Sequence, residues 1–232
     1  MFENFVYKSH KKLMNNDFKK YAIKHRGISS TFFDRYSKLN TTQHILESFG
    51  DATMVDIFSK LIDSRIIFLS TEMESDICNI IKAQLLYLEQ QDSDKDIKIY
   101  IDSPGGSVYS GLGLLDTMEY IKPDIVTINT GLAASMAAVL LCCGTNGKRK
   151  ALPRSRTMIH QPLAGFGGYL QASDLEIDAR EINSLKKELH NIISEKTGKD
   201  YNRVEKDSDR DYWMTADEAL KYGMIDEIVK KK

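Results

Sequence analysis

The sequence predicts an α/β protein. Short β-branched runs alternate with longer amphipathic or Ala-rich runs, and turn residues separate them. Two helix starts carry the Ser/Thr-x-x-Glu spacing of a capping box, at Ser173–Glu176 and Thr215–Glu218. No run approaches the roughly 18 apolar residues of a membrane span. The 232 residues allow one sizeable domain with a small appendage.

In chain order, residues 1–52 are polar and weakly periodic and predict a flexible leader with at most one short helix. This leader is basic: residues 1–26 hold seven Lys or Arg against Glu3 and Asp17, so they carry +5 of a chain whose net charge is −1. Residues 53–232 form the expected domain. Val55–Leu61 predicts a helix and Arg65–Leu69 a buried strand. Ile77, Ile80, Ile81, Leu85 and Leu88 have helical spacing, and Ile97–Ile101 alternates as a strand does. SPGGSV at 103–108 leads into a helix reaching Ile121. Ile125–Ile128 predicts a third strand, followed by a short turn and an Ala-rich buried helix ending near Gly144. Arg156–His160 predicts a strand stopped by Pro162, and AGFGG at 164–168 an extended Gly-rich segment. A long helix spans about 173–197, with Ile182, Leu185, Leu189 and Ile192 as its apolar stripe. A short helix follows Thr215 and closes at Gly223.

Composition narrows the function. The near-neutral charge gives no footprint for nucleic acid, and 42% hydrophobic with 28% charged residues is ordinary for a globular chain. Cys78, Cys142 and Cys143 make neither a disulfide framework nor a zinc spacing, and predict buried reduced thiols. DSDKDI at 92–97 fails as a calcium loop, because Ile97 stands at the turn position and Ser103 at the twelfth. No metal site is expected.

One hydroxyl stands out. In GLAASMAAV, Ser135 is surrounded by Ala133, Ala134, Ala137 and Ala138. A tightly packed buried helix would explain this. So would a nucleophile elbow, where small neighbours let a serine sit on a sharp strand-to-helix turn. At a helix start the Met136 N–H would be free to face an oxyanion. A serine needs a base. His10 and His25 lie in the basic leader, His44 in a polar linker, and His190 flanks the long helix's stripe as a surface residue. His160 closes an apolar strand before Gln-Pro, either as a core histidine or as a base emerging at a turn. The two glycines of SPGG are a tight turn or a source of unshielded N–H donors. Asp207, Asp209 and Asp211 in KDSDRDYW leave the orienting acid open.

SPGGSVYSGLGLLDTM, GLAASMAAVLL, MIHQP and KDSDRDYWMTADEALKYGMID, in this order, closely resemble the proteolytic subunits of the Clp proteases, the ClpP family, from about Asp56 to Ile228. The resemblance implies stacked β-β-α units of the ClpP/crotonase-like fold, forming one head domain with the long helix as a protruding handle. It implies a serine endopeptidase with Ser135 as nucleophile, His160 as base and Asp211 as orienting acid. Gly106 and Met136 would supply the oxyanion N–H groups, and Asp209 and Arg210 would pair across a ring interface. It also implies two stacked seven-membered rings in the cytoplasm, fed with unfolded polypeptide by an AAA+ unfoldase of the ClpX or ClpA type. ATP would be consumed by that partner, and this chain would need no cofactor. Apolar residues are expected before the cut, and Tyr100 is a candidate for the docking groove.

Departures from the family pattern are Asp102, where Asn is usual, and AGFGGYLQAS, two residues longer than usual. The first adds a charge beside the oxyanion region or toward a ring neighbour. The second bears on substrate register and ring stacking. The alternatives are an inactive or partner-dependent ring subunit, and a crotonase-like acyl-CoA enzyme, which would need no triad.

Overall fold

The computed structural model describes residues 44–47, 53–163 and 171–230. Most of the expected leader and the longer Gly-rich segment lie outside the described residues. Strands β1 (His44–Glu47) and β2 (Thr53–Asp56) pair as an antiparallel hairpin. This hairpin straddles the expected boundary at residue 52, and His44 belongs to a strand rather than a linker. Helix α1 (Ile57–Asp63) follows at once. The predicted helix from Val55 therefore starts two residues late, because Val55 and Asp56 spend their backbone groups on β1.

The sheet is built around one long strand. β3 (Ile66–Leu69) lies parallel to β4 (Ile97–Ser103), and β4 lies parallel to β5 (Ile125–Ala134). Helices α2 (Ser75–Gln91) and α3 (Val108–Tyr120) make the crossovers that parallel pairing requires. Along β4, Ile97, Ile99, Ile101 and Ser103 point inward. The far edge of β5 is shared. β6 (Arg149–Ala151) pairs with Thr127–Asn129, and β7 (Arg156–Ile159) pairs with Leu132–Ala134. β8 (Tyr212–Thr215) runs antiparallel to β7, and β9 (Glu227–Ile228) runs parallel to β6.

The expected strand at Ile125–Ile128 is thus ten residues long, and no separate turn precedes Ser135. Its second half is poor in β-branched residues. It is held as strand because β4 and β7 satisfy its backbone from both sides.

Helix α4 (Met136–Cys142) is buried at every position. Ile81, Leu85, Ile97, Ile101, Leu114, Leu140 and Leu141 are fully enclosed with it, each worth about 1.5–3 kcal/mol by burial. The three cysteines are free and buried, and burial pushes the Cys78 thiol up to about 11.

Helix α5 (Ala172–Thr197) begins one residue before its expected start. Ser173 therefore sits inside the first turn, and no side chain caps the end. The second capping box forms as expected. Thr215 caps α7 (Ala216–Tyr222), and Glu218 answers it. Buried residues of α5 are confined to Leu185, Leu189, His190 and Ile193, while Leu175 and Ile177 in its first turns are exposed. The helix is anchored at its C-terminal half and free of the core at the other, as a handle must be. The short helix α6 (Tyr201–Asp207) packs beside it.

Arg149 ties the ends of α4 and α5 to the start of β9. Its Nε lies 2.9 Å from Asp226, and its Nη1 donates to the Lys196 carbonyl at 2.8 Å and the Cys142 carbonyl at 3.2 Å.

Candidate active site

Sheet register assembles the site. Ala134 of β5 is level with Met158 of β7, and Ile159 of β7 is level with Tyr212 of β8. One step further, Ser135 leaves β5 level with Ile159, one residue short of His160, and His160 falls opposite Asp211. Residues far apart in sequence converge because three strands end together.

Ser135 is the sharpest point of the backbone, with φ 55° and ψ −127°. A non-glycine residue held there costs on the order of 1–3 kcal/mol. The surroundings enforce it. The Ser135 N–H donates to the Met158 carbonyl at 2.9 Å, and the Ser135 carbonyl accepts from Ala138 N–H at 2.9 Å. The kink turns the side chain out of the sheet and toward His160. Ser135 Oγ lies 2.8 Å from His160 Nε2. His160 Nδ1 lies 3.3 Å from Asp211 Oδ1. The imidazole is 15% exposed, whereas the carboxylate is 59% exposed.

The SPGG turn presses against this kink. A Cβ on Gly105 would lie 2.6 Å from the Ala134 carbonyl oxygen and 2.7 Å from Ser135 Cβ. Only glycine fits there, at φ 89°. The turn is pinned from behind, since Met73 N–H donates to the Gly105 carbonyl and Ser107 N–H donates to the Met73 carbonyl, both at 2.8 Å. This alternation leaves the Gly106 N–H directed away from Met73. Met136 is the first residue of α4, where a helix has no internal partner for its N–H. Two backbone donors thus flank the serine.

Asp209 and Arg210 are exposed. Gln161 Nε2 donates to the Asp209 carbonyl at 2.9 Å, and Gln161 N–H donates to the Ser208 carbonyl at 2.7 Å. Gln161, missed in the sequence, braces the loop that delivers Asp211. Asp102 has a structural role inside the sheet: its Oδ1 accepts from Leu132 N–H at 2.9 Å where the β4–β5 register shifts. Half-buried Tyr100 stacks on Phe68 at 5.4 Å. His190 corrects the sequence reading most clearly. It is 1% exposed rather than a surface residue, and it lines a cleft with Ser135, Met136 and His160. Among the described residues no cluster of three or more His, Cys, Asp or Glu side chains could hold a metal ion.

A serine, an imidazole and a carboxylate in series, with backbone donors beside the serine, define the class as a serine-type hydrolase. A family model described as Clp protease matches residues 49–232. The chain belongs to the Clp protease family, and is a serine-type peptidase. An ATP-dependent Clp protease proteolytic subunit of Porphyromonas gingivalis is 56% identical over 220 residues, covering 93% of this chain and 98% of that protein. One from Bacteroides thetaiotaomicron is 55% identical, covering 94% of this chain and 100% of its own length. Subunit 1 of the same protease from Prochlorococcus marinus strain MIT 9312 is 55% identical over 186 residues, covering 80% of this chain and 94% of that protein. The crotonase-like alternative falls with this membership.

Proposed function

We propose that this chain hydrolyses peptide bonds of unfolded polypeptides as the proteolytic subunit of an ATP-dependent Clp protease, through Ser135, His160 and Asp211. The 2.8 Å contact of Ser135 Oγ with His160 Nε2 carries the proposal. His160 takes the hydroxyl proton as Oγ attacks the carbonyl carbon, and the oxyanion is met by the N–H groups of Gly106 and Met136. The imidazolium, oriented by Asp211, protonates the leaving amine. Water then attacks the acyl-enzyme with His160 again as base, and Ser135 is restored.

The catalytic chain works within two stacked heptameric rings, fed by an AAA+ unfoldase that spends the ATP. The exposed first half of α5 and the exposed side chains of Asp209 and Arg210 support this assembly, since both present accessible surface to a neighbour. Free buried cysteines support a reducing cytoplasm. No helix among the described residues is long and apolar enough to cross a membrane.

Labelling with a fluorophosphonate, read by intact mass, tests the site. One adduct on the wild-type chain and none on Ser135→Ala is the expected result. An adduct that persists in Ser135→Ala would overturn the assignment. Ser135→Ala should lose about 10⁶ in turnover while keeping its fold.

The exposure of Asp211 favours one refinement, a subunit whose acid is held in place only after assembly. Size and peptide turnover measured together, with and without an added AAA+ partner, separate this from a subunit active on its own.

A further inference from the structure

The glycine pair beside Ser135 leaves one peptide free to face either way. A trans peptide carries its C=O and N–H on opposite sides. The Gly106 N–H therefore faces the serine only while the Gly105 carbonyl faces away. Gly105 and Gly106 stand at φ 89° and 152°. Glycine accepts positive and negative φ about equally, so neither residue resists a flip of the peptide between them. Flipped, that peptide would aim a carbonyl oxygen at the developing negative charge. A group outside the pair has to hold it in the productive sense.

Met73 supplies the direct hold. Its N–H donates to the Gly105 carbonyl at 2.8 Å, and its bridge to Gly106 is parallel, which turns the Gly106 N–H outward. Packing is close, since a Cβ on Gly106 would lie 2.6 Å from the Met73 carbonyl oxygen. Met73 lies on the connection between β3 and α2, so its grip is only as firm as that connection. Ser103 fixes the connection. Its hydroxyl donates to the Thr71 carbonyl at 2.6 Å and accepts from the Gly105 N–H at 3.2 Å. The residue is fully buried. It is also the last residue of β4, level with Ala133 of β5, two residues before the nucleophile. An alanine would fill the same place in the sheet, so packing alone does not call for the hydroxyl.

We propose that Ser103 is a positioning residue of the reaction: by clamping the β3–α2 connection to the glycine pair, its hydroxyl keeps the Gly105–Gly106 peptide with its N–H toward Ser135. The inference rests on the peptidase reading above. Ser103 touches neither substrate nor the reacting atoms, and acts on Gly106 through Met73 and Gly105. Removing the hydroxyl takes this partner from the Thr71 carbonyl and from the Gly105 N–H. The connection then relaxes, and the peptide spends part of its time flipped. The loss is felt where negative charge develops, and not where uncharged substrate binds.

The test uses the full-length assembled chain and two peptides that differ only at the terminal carbon, an aldehyde and the corresponding alcohol. Ser135 adds to the aldehyde as a hemiacetal whose oxygen occupies the oxyanion position, and the alcohol binds without one. The ratio of the two inhibition constants does not depend on how many sites are competent. Ser103→Ala is expected to cut the aldehyde's advantage, and kcat with it, roughly tenfold to a hundredfold, less than the outright loss of a donor. Inhibition by the alcohol should stay within about threefold of wild type, because ground-state binding is untouched. Where Ser103→Ala fails to assemble, Ser103→Cys, with its weak S–H donor, carries the same comparison. An unmoved ratio overturns the inference, including the case where both inhibitors weaken in parallel. Fluorophosphonate labelling of the same samples separates the two levels. Labelled wild type with a ratio unmoved in the variant overturns this inference alone, and unlabelled wild type overturns the peptidase reading with it.

Discussion

Two nitrogen–carboxylate pairs in this molecule look alike and are built differently. Arg149 and Asp226 are 7% and 19% exposed, and Arg149 also grips two helix-end carbonyls. His160 and Asp211 meet at 3.3 Å, and the acid is 59% exposed. The first pair is saturated and enclosed, so either partner's removal strands a charge in the interior. The second is open on the acid side, so its loss is felt in orientation rather than in folding. A contact that holds the fold is closed on all sides. The contact proposed to serve chemistry keeps one side accessible.

Four measurements probe how these contacts and the strained serine hold the molecule. Asp211→Asn should have the largest effect, a loss of up to about 10⁴ in turnover from a misplaced imidazole tautomer. Its thermal midpoint should stay within a few degrees of wild type. A large fall in that midpoint would erase the distinction between the pairs. Arg149→Met should act in the opposite way, lowering stability by about 3–5 kcal/mol through an uncompensated Asp226, as read by urea unfolding. Adding Asp226→Leu should recover much of that loss, because two apolar groups leave no stranded charge.

Ser135→Gly should stabilise by about 1 kcal/mol, since glycine accepts the positive φ that serine resists. A urea midpoint that does not rise would mean the kink stores no strain.

Acid dependence is the smallest expected effect. For Asp226, burial works to raise the carboxyl, but the bonds from Arg149 outweigh it and the net position is low. Its contribution is complete above about pH 4 and fades as the pH falls further. Burial lowers His190 instead. The unfolded chain then takes up a proton before the folded one, so stability declines as the pH falls below about 6.5. His190→Asn should flatten that upper step and leave the lower one, as urea midpoints across pH would record.

Much of this was legible in the sequence, and the misses have physical causes. Ser135 and His160 could be found because small neighbours and a strand ending in Gln-Pro are local signals. Asp211 could not be singled out by pattern, because its position depends on β8, a four-residue strand defined only by pairing with β7. β6 was hidden for the same reason: RKA has no strand signature and takes its form from β5 and β9. The stripe on α5 was seen, but helical spacing alone placed His190 at its flank. A second neighbour, α6, covers that flank and buries the imidazole against Tyr201. Burial from two sides is not written in one helix's periodicity.

The missing side chain at Gly105 has a mechanical consequence. With no room for even one carbon between the SPGG turn and the Ser135 kink, those two segments translate and rotate as one block. A hinge cannot lie between them. The degrees of freedom left to the site belong to the loop bearing Asp211, which Gln161 braces with two hydrogen bonds and which meets His160 through one exposed carboxylate. The serine is thus the fixed reference point of the site, and the exposed acid is its least constrained member.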